Sequence, residues 1–335
     1  MTRTQRPSAW FDPPVSPTRT LRALCAMLLI GLAGLAQAQW PDKPIRMVLG
    51  VAPGGGTDLM ARTYAQPLGE KLGQPIVIAN NAGASGNIAV ADVVNAAPDG
   101  YTLLMGPLTY QTANPSLIKN TPNMVRDLVP VALVGKTQLF LLTKRELAVE
   151  SVADLVRLAK EKPGSISYSS SGVGTSPHFL GELFAKEAGI TVLHVPFRSA
   201  GPALMSVVQG EADIGFFSGS ALPQVRAGKV RVLAVASEKR SAELPNTPTL
   251  REVGIRNVEY DVWYGVWAPA KTPKAVVDRL TAALLDACQQ GPLRAKFSEA
   301  NIDPDCRGPA DMQRVLADET KVLSTLIRER NIVAE

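Results

Sequence analysis

The chain predicts an α/β protein of two lobes built on largely parallel sheets, and three observations carry this. Short β-prone runs alternate with helical patterns for most of the length, the order that lays helices over parallel strands. Two glycine-rich strand-to-helix junctions recur, at 52–58 and at 169–178. Roughly 300 residues follow an amino-terminal leader, enough for one large or two ordinary domains.

The leader comes first in the chain. Arg3, Arg6, Arg19 and Arg22 precede an apolar run over 23–35 that ends in Ala36-Gln37-Ala38, the layout of a secretory signal cleaved after Ala38. The run is shorter than the roughly 20 apolar residues that span a bilayer. Cys25 lies inside the run and Arg22 stands where a lipobox needs an aliphatic residue, so no lipid anchor is expected. Cleavage removes four arginines and one aspartate, which lowers the formal charge from +5 to +2. The remaining Lys and Arg are scattered and aromatics are few, which argues against nucleic acid as a partner.

The first series of elements is strand 45–51, helix 59–72, strand 76–78, helix 85–97 and strand 101–105. Pro98-Asp99-Gly100 supplies the turn before the last of these, proline presetting φ and glycine accepting positive φ. Two β-prone runs follow at 131–134 and 139–143. The second series is strand 165–169, helix 177–188, strand 191–195, helix 202–209 and strands 213–217 and 230–236. An extended run at 258–267 precedes an amphipathic helix over 273–289, and a last amphipathic helix starts near Pro309. The domains then read 39–140 for the first part of lobe 1, 141–259 for lobe 2 and 260–335 for the rest of lobe 1. Two crossings, near 140 and 260, make a hinge.

The junction Ala52-Pro53-Gly54-Gly55-Gly56-Thr57-Asp58 ends a strand and opens a helix. Backbone N–H groups and the positive end of a helix dipole seat an anion there. Three consecutive glycines exceed what a tight turn needs; Thr57 or Asp58 serves as the cap. Ser169-Ser170-Ser171-Gly172-Val173-Gly174-Thr175-Ser176-Pro177-His178 repeats the arrangement in the other lobe, with Pro177 suited to the first helical turn. Two such loops can pinch an anion across a cleft. Arg198 follows a strand at the same cleft, where a guanidinium either forks a carboxylate or lies solvated. Asn81 ends strand 76–78 beside the first loop and is a further ligand contact. Trp263, Tyr264 and Trp267 read as packing at the hinge return.

Enzyme and cofactor motifs fail on inspection. Gly135-Lys136-Thr137 lacks the phosphate-cradling glycines of a P-loop, since Pro130 stands five residues before Gly135. Gly172-Val173-Gly174 has Pro177 where a dinucleotide fingerprint needs its third glycine. There is no G-x-S-x-G elbow. His178 and His194 are the two histidines, and their spacing is not that of paired metal ligands on a helix. No cofactor, metal or catalytic residue is therefore expected. After cleavage Cys288 and Cys306 remain, either bridged or as two independent buried thiols.

The chain resembles the periplasmic solute-binding proteins of tripartite tricarboxylate transporters, the Bug-type receptors. The resemblance rests on Trp40-Pro41 with Pro44-Ile45, Ala52-Pro53-Gly54-Gly55 with Asp58 and Ala61-Arg62, and Gly83-Ala84-Ser85-Gly86. It continues through Pro98-Asp99-Gly100-Tyr101, Asn114-Pro115, Ser171-Gly172-Val173-Gly174 with His178 and Glu182, His194-Val195-Pro196, Pro248-Thr249 and Trp263-Tyr264-Gly265. It implies a two-lobed, type II-like flytrap fold with the ligand cleft between the lobes. It also implies capture of a small organic acid and delivery to membrane permease subunits, by a protein that works as a monomer in the periplasm. The family's carboxylate pincer maps onto Pro53, Gly54, Gly55, Gly56 and Thr57 and onto Ser170, Ser171, Gly172, Val173, Gly174 and Thr175. Two departures stand out: Phe197-Arg198-Ser199-Ala200 replaces the usual Tyr-Lys-Gly-Gly, and Ala89 replaces a glycine. The alternatives are an exported α/β enzyme acting on a small carboxylate, with His178 as its cleft base, and a receptor feeding a sensor kinase.

Overall fold

A computed structural model describes residues 40–332; the export signal predicted over 1–38 lies outside the described residues. The strands form two sheets. The first holds β1 (Ile45–Leu49), β2 (Ile76–Asn80), β3 (Thr102–Pro107), β4 (Leu128–Thr137), β10 (Val262–Pro269) and β11 (Ile302–Arg307), in the order β11-β4-β10-β3-β1-β2. The second holds β5 (Phe140–Lys144), β6 (Ser167–Ser170), β7 (Leu193–Pro196), β8 (Ile214–Phe217) and β9 (Val230–Val235), in the order β7-β6-β8-β5-β9. The chain passes from the first sheet to the second through Gln138 and Leu139 and returns over 236–261.

Central strands are apolar on both faces because helices cover both. Ile45, Met47, Val48 and Leu49 are all fully buried, the continuous apolar run of a strand sandwiched by helices. On one face, Val48 and Leu104 meet Val90 of α2 (Asn87–Val94) and Met312 and Leu316 of α8 (Pro309–Glu329). On the other lie α1 (Gly56–Leu72) and α6 (Lys274–Cys288). In the second sheet, Phe140, Leu142 and Val235 pack on Ala203, Leu204 and Val207 of α5 (Ala200–Val208). Phe184 of α4 (Ser176–Ala188) meets Phe216 edge-on from the opposite face.

The sheets are mixed rather than largely parallel. Four pairings are parallel, β1 with β2 and β3, and β6 with β7 and β8. Five are antiparallel, β10 with β3 and β4, β11 with β4, and β5 with β8 and β9. A helical crossover within one sheet enforces parallel pairing, whereas β5 and β10 each arrive from the other sheet.

Besides short helices such as Thr109–Thr112 and Met124–Asp127, a longer helix and an edge strand went unread in the sequence. Helix α3 (Val152–Glu161) is capped by Ser151, whose hydroxyl accepts the Asp154 N–H at 3.1 Å; Ser-x-x-Asp before an apolar run was the available signal. Strand β11 carries Asp303-Pro304-Asp305 without alternation. It lies at the sheet's edge with an irregular register between Asp303 and Cys306, where proline and charge are tolerated. Cys306 on this strand is disulfide-bonded to Cys288 at the end of α6, their Cα atoms 6.5 Å apart. The last helix, expected on the first lobe alone, touches both: beyond Leu316, its Leu323, Leu326 and Ile327 pack with Phe179 of α4. Arg330 and Glu182 form an ion pair at 3.1 Å beside that contact.

Candidate functional site

A cavity of about 730 Å³ opens where the parallel strands of both sheets end. The C-terminal ends of β1 and β2 feed it from one side and those of β6, β7 and β8 from the other, the place where open α/β sheets bind ligands.

The first junction supplies Pro53, Gly55, Gly56 and Thr57 to the lining. Helix α1 begins at Gly56, three residues before the expected start, with Gly55 as its cap. The N–H groups of its first turn therefore have no acceptor within the helix. A Cβ on Gly56 would come within 3.1 Å of both the Ser218 and Tyr264 hydroxyls, so only glycine lets the loop approach the opposite wall. Gly54 does not line the cavity: its N–H donates to Asp58 Oδ2 at 3.0 Å. Asp58 also accepts from Arg62 at 2.9 Å and from Asn80 at 3.0 Å. Burial opposes its charge, but these donors outweigh it and hold the carboxyl below its ordinary range. Asp58 thus ties the loop from behind rather than capping the helix with its side chain.

The second junction supplies Ser171, Gly172 and Thr175. Thr175 caps α4, with Pro177 in the first turn, and its hydroxyl donates to the Gly172 carbonyl at 2.7 Å. Ser170, Val173 and Gly174 lie behind this surface. The Ser170 hydroxyl pairs with His194 Nε2 at 2.6 Å and accepts the Gly172 N–H at 3.1 Å. Gly174 donates its N–H to His178 Nδ1 at 3.1 Å. The Val173 carbonyl accepts a hydrogen bond from Ser85.

Under this loop the two histidines stack on each other, ring centroids 4.1 Å apart, and His194 stacks on Tyr168 at 4.7 Å. Burial pushes both imidazoles down to about 4, with His178 adding to the shift of His194. They are neutral packing and hydrogen-bonding groups behind the cleft. The sequence separation of the pair carries no sign of this contact.

Asn81 is a correction. It directly follows β2, but it does not line the cavity and its amide donates to Asp92 at 2.5 Å. Asp92 also receives the forked Arg46 guanidinium at 2.9 and 2.7 Å. Tyr264 is another: it lines the cavity, as Trp263 and Trp267 do not. Trp267 is fully buried with its indole N–H on Gln111 at 3.0 Å, and Trp263 lies under Lys136 and Arg307.

The wall includes residues 83–85, 109–110 and 216–218, which the sequence did not mark. Residues 83–86 all have positive φ: 132° at Gly83, 46° at Ala84, 51° at Ser85 and 93° at Gly86. A left-handed turn in two non-glycine residues is costly, and the paired glycines around Ala84 and Ser85 were its signal. Tyr110 fills the floor beside it. A Cβ on Gly86 or Gly106 would meet the Tyr110 ring at 2.2 Å, and one on Gly50 would meet its hydroxyl at 2.6 Å.

The walls are apolar and aromatic, with Tyr110, Phe197, Phe216, Phe217 and Tyr264. Among the described residues lining the cavity, Arg198 alone is charged, and none is Asp or Glu. The amino termini of α1, α4 and α5 converge here, each bringing free N–H donors and a positive partial charge. Neutral donors, three helix termini and one cation, enclosed by aromatics, form a receptacle for a small organic anion. Two sheets around one cleft, joined by two crossings, define the protein as a two-lobed binding protein.

The family model for the tripartite tricarboxylate transporter family receptor matches residues 60–332. BugT of Bordetella pertussis is 33% identical over 310 residues, covering 90% of this chain and 95% of BugT. Among solved structures, the periplasmic binding protein BugD aligns with a TM-score of 0.83 at 28% identity, over 88% of this chain and all of BugD. The R. palustris protein Rpa4515, solved with adipate, aligns at 0.85 and 30% identity, over 88% of this chain and all of its own. The chain belongs to the tripartite tricarboxylate transporter receptor family, and its fold is that of the Bug-type binding proteins.

Proposed function

We propose that the protein is a periplasmic receptor that captures a small organic carboxylate by lobe closure and delivers it to the permease subunits of a tripartite tricarboxylate transporter. One observation carries this reading. The first turns of α1 and α4 face a single cavity from opposite sheets, and among the described residues no carboxylate side chain lines it. The ligand carboxylate is seated between the N–H groups of Gly56 and Thr57 on one side and those around Ser171 and Ser176 on the other. Pro53, Gly55, Gly172 and Thr175 shape the two loops. The adipate held by the related Rpa4515 supports this chemistry. Closure works about the crossings at 138–139 and 236–261, and the ligand stabilises the closed state by its higher affinity for it. The protein is exported, its leader is removed near Ala38, and it acts as a monomer. Among the described residues no helix is long and apolar enough to cross a membrane.

A thermal-shift screen of ligand-stripped protein against mono- and dicarboxylates, amino acids and aromatic acids tests the reading. A ligand at 100 times its Kd adds about 2.7 kcal/mol. Absence of a shift with every organic anion would count against it. Crosslinking of the loaded and empty protein to the neighbouring membrane subunits tests delivery separately.

A further inference from the structure

We infer that His178 is a positioning residue for the ligand carboxylate: its ring accepts the Gly174 N–H and so fixes the second loop in the shape that turns Ser171 and Ser176 into the cavity. The inference rests on the carboxylate-receptor reading and concerns what shapes that same site.

The ring is held by three elements. Parallel pairing of β6 with β7 sets Tyr168 opposite His194, and the two rings stack. Helix α4 lies against them with His178, and with Gly181 and Glu182 three and four residues on, the spacing that shares one helix face. A Cβ on Gly181 would stand 2.3 Å from the Tyr168 ring, so glycine lets the helix settle there. Glu182 accepts the Tyr168 hydroxyl at 2.7 Å and is itself paired with Arg330 beyond α8. His178 stacks on His194 in turn, is 5% exposed and does not line the cavity. Its plane and depth are therefore set by β6, β7 and α4, not by the loop.

The bond to the loop has one direction. A backbone N–H can only donate, so Nδ1 carries a lone pair and the proton of the neutral ring sits on Nε2. Burial keeps the imidazole in that neutral form at pH 7. Gly172 likewise donates inward, to the Ser170 hydroxyl that pairs with His194, while the Val173 carbonyl between the two glycines meets Ser85 from the other side. Gly172 and Gly174 have φ of 122° and 81°. Glycine enters such conformations freely and leaves them as freely, so the shape depends on its anchors. Without the Nδ1 acceptor the Gly174 N–H is buried and unpaired, a costly state that rotation of the peptide relieves. Thr175 and Ser176 follow directly, and the first N–H groups of α4 move with them.

Two measurements test this. The chain has two histidines, so NMR of isotope-labelled histidine in the untagged protein resolves both rings, and His178→Phe assigns them. At pH 7 the His178 ring is expected to carry its proton on Nε2 alone. An Nδ1–H tautomer or an imidazolium overturns the inference, whether or not any variant folds.

Calorimetry then compares binding of the acids in the thermal-shift screen, succinate, adipate and benzoate among them, to wild type, His178→Phe and His178→Asn. Phenylalanine keeps a ring in the stack without an acceptor, and asparagine sets an acceptor near Nδ1 without a ring. His178→Phe is expected to bind about 10-fold or more weaker than wild type. His178→Asn is expected to recover most of that affinity although, lacking the stacked ring, it melts at the lower temperature. Affinity that follows melting temperature across the two variants, or His178→Phe binding as tightly as wild type, overturns the inference alone. Wild type binding no organic acid of the screen overturns the receptor reading with it.

Discussion

The Ser85 hydroxyl donates to the Val173 carbonyl at 2.5 Å, joining the left-handed turn beside the first sheet to the glycine loop of the second. Asn114 holds the Ser85 carbonyl from behind at 2.9 Å. This bond crosses the cleft directly, and it comes from a residue whose φ of 51° favours glycine. Ser85→Gly therefore removes the cross-cleft bond while easing the backbone. In the absence of ligand, small-angle scattering should show a larger radius of gyration than wild type at an unchanged or higher melting temperature. Identical scattering curves would mean that the bond does not bias closure.

Tyr110 is enclosed by Gly50, Gly86 and Gly106, so its ring has no room to yield. Gly106→Ala is expected to cost about 1–3 kcal/mol through overpacking, read as a fall in the denaturant midpoint. Gly201→Ala serves as control: it sits on the same cavity wall, and a Cβ there meets nothing within 4 Å. Equal losses in the two variants would refute the cage.

The Cys288–Cys306 bond closes a loop of 18 residues around α7 (Gly291–Glu299). Chain-entropy arguments give such a loop about 3 kcal/mol of stabilisation. Reduction, or paired Cys→Ser replacement, should lower the unfolding free energy by about that amount. The carboxylate affinity should hold, because neither cysteine lines the cavity. Full stability after reduction would exclude this role.

Glu319 on α8 accepts hydrogen bonds from Thr112 at 2.8 Å and from Tyr260 at 3.3 Å. Burial pushes its carboxyl from 4.5 up to about 7, against the pull of those two donors. Between these values the folded protein retains a proton that the unfolded chain releases, so stability from this group falls as pH rises through the window. The histidine stack acts in the opposite sense, losing stability as pH falls from 6.5 towards 4. Glu319→Gln should therefore be more stable relative to wild type at pH 7.5 than at pH 5 in urea unfolding. Parallel pH profiles for the two proteins would rule this out.

What was legible in the sequence was local. Glycine runs after apolar strands located both cavity-lining loops, because a strand that turns sharply into a helix must expose its first N–H groups wherever it sits. The helical periodicity of 273–289 and of the last helix was likewise readable, since burial of one helix face leaves a 3.6-residue imprint. Asn81 and Arg198 were both placed at strand ends by the same local logic, yet one meets Asp92 and the other the cavity. Which way each turns depends on what α2 and α5 bring beside it.

By itself the sequence determined an α/β chain, two glycine-rich strand-to-helix junctions and the absence of phosphate-binding motifs. Tertiary structure alone decided the mixed strand directions, the stacking of His178 on His194, the cross-cleft Ser85 bond and the placing of Arg198 on the cavity wall. The physical reason is range. Turn chemistry and helix starts are written in adjacent residues, whereas direction, neutralisation and enclosure depend on partners that the chain brings together only when both sheets have formed.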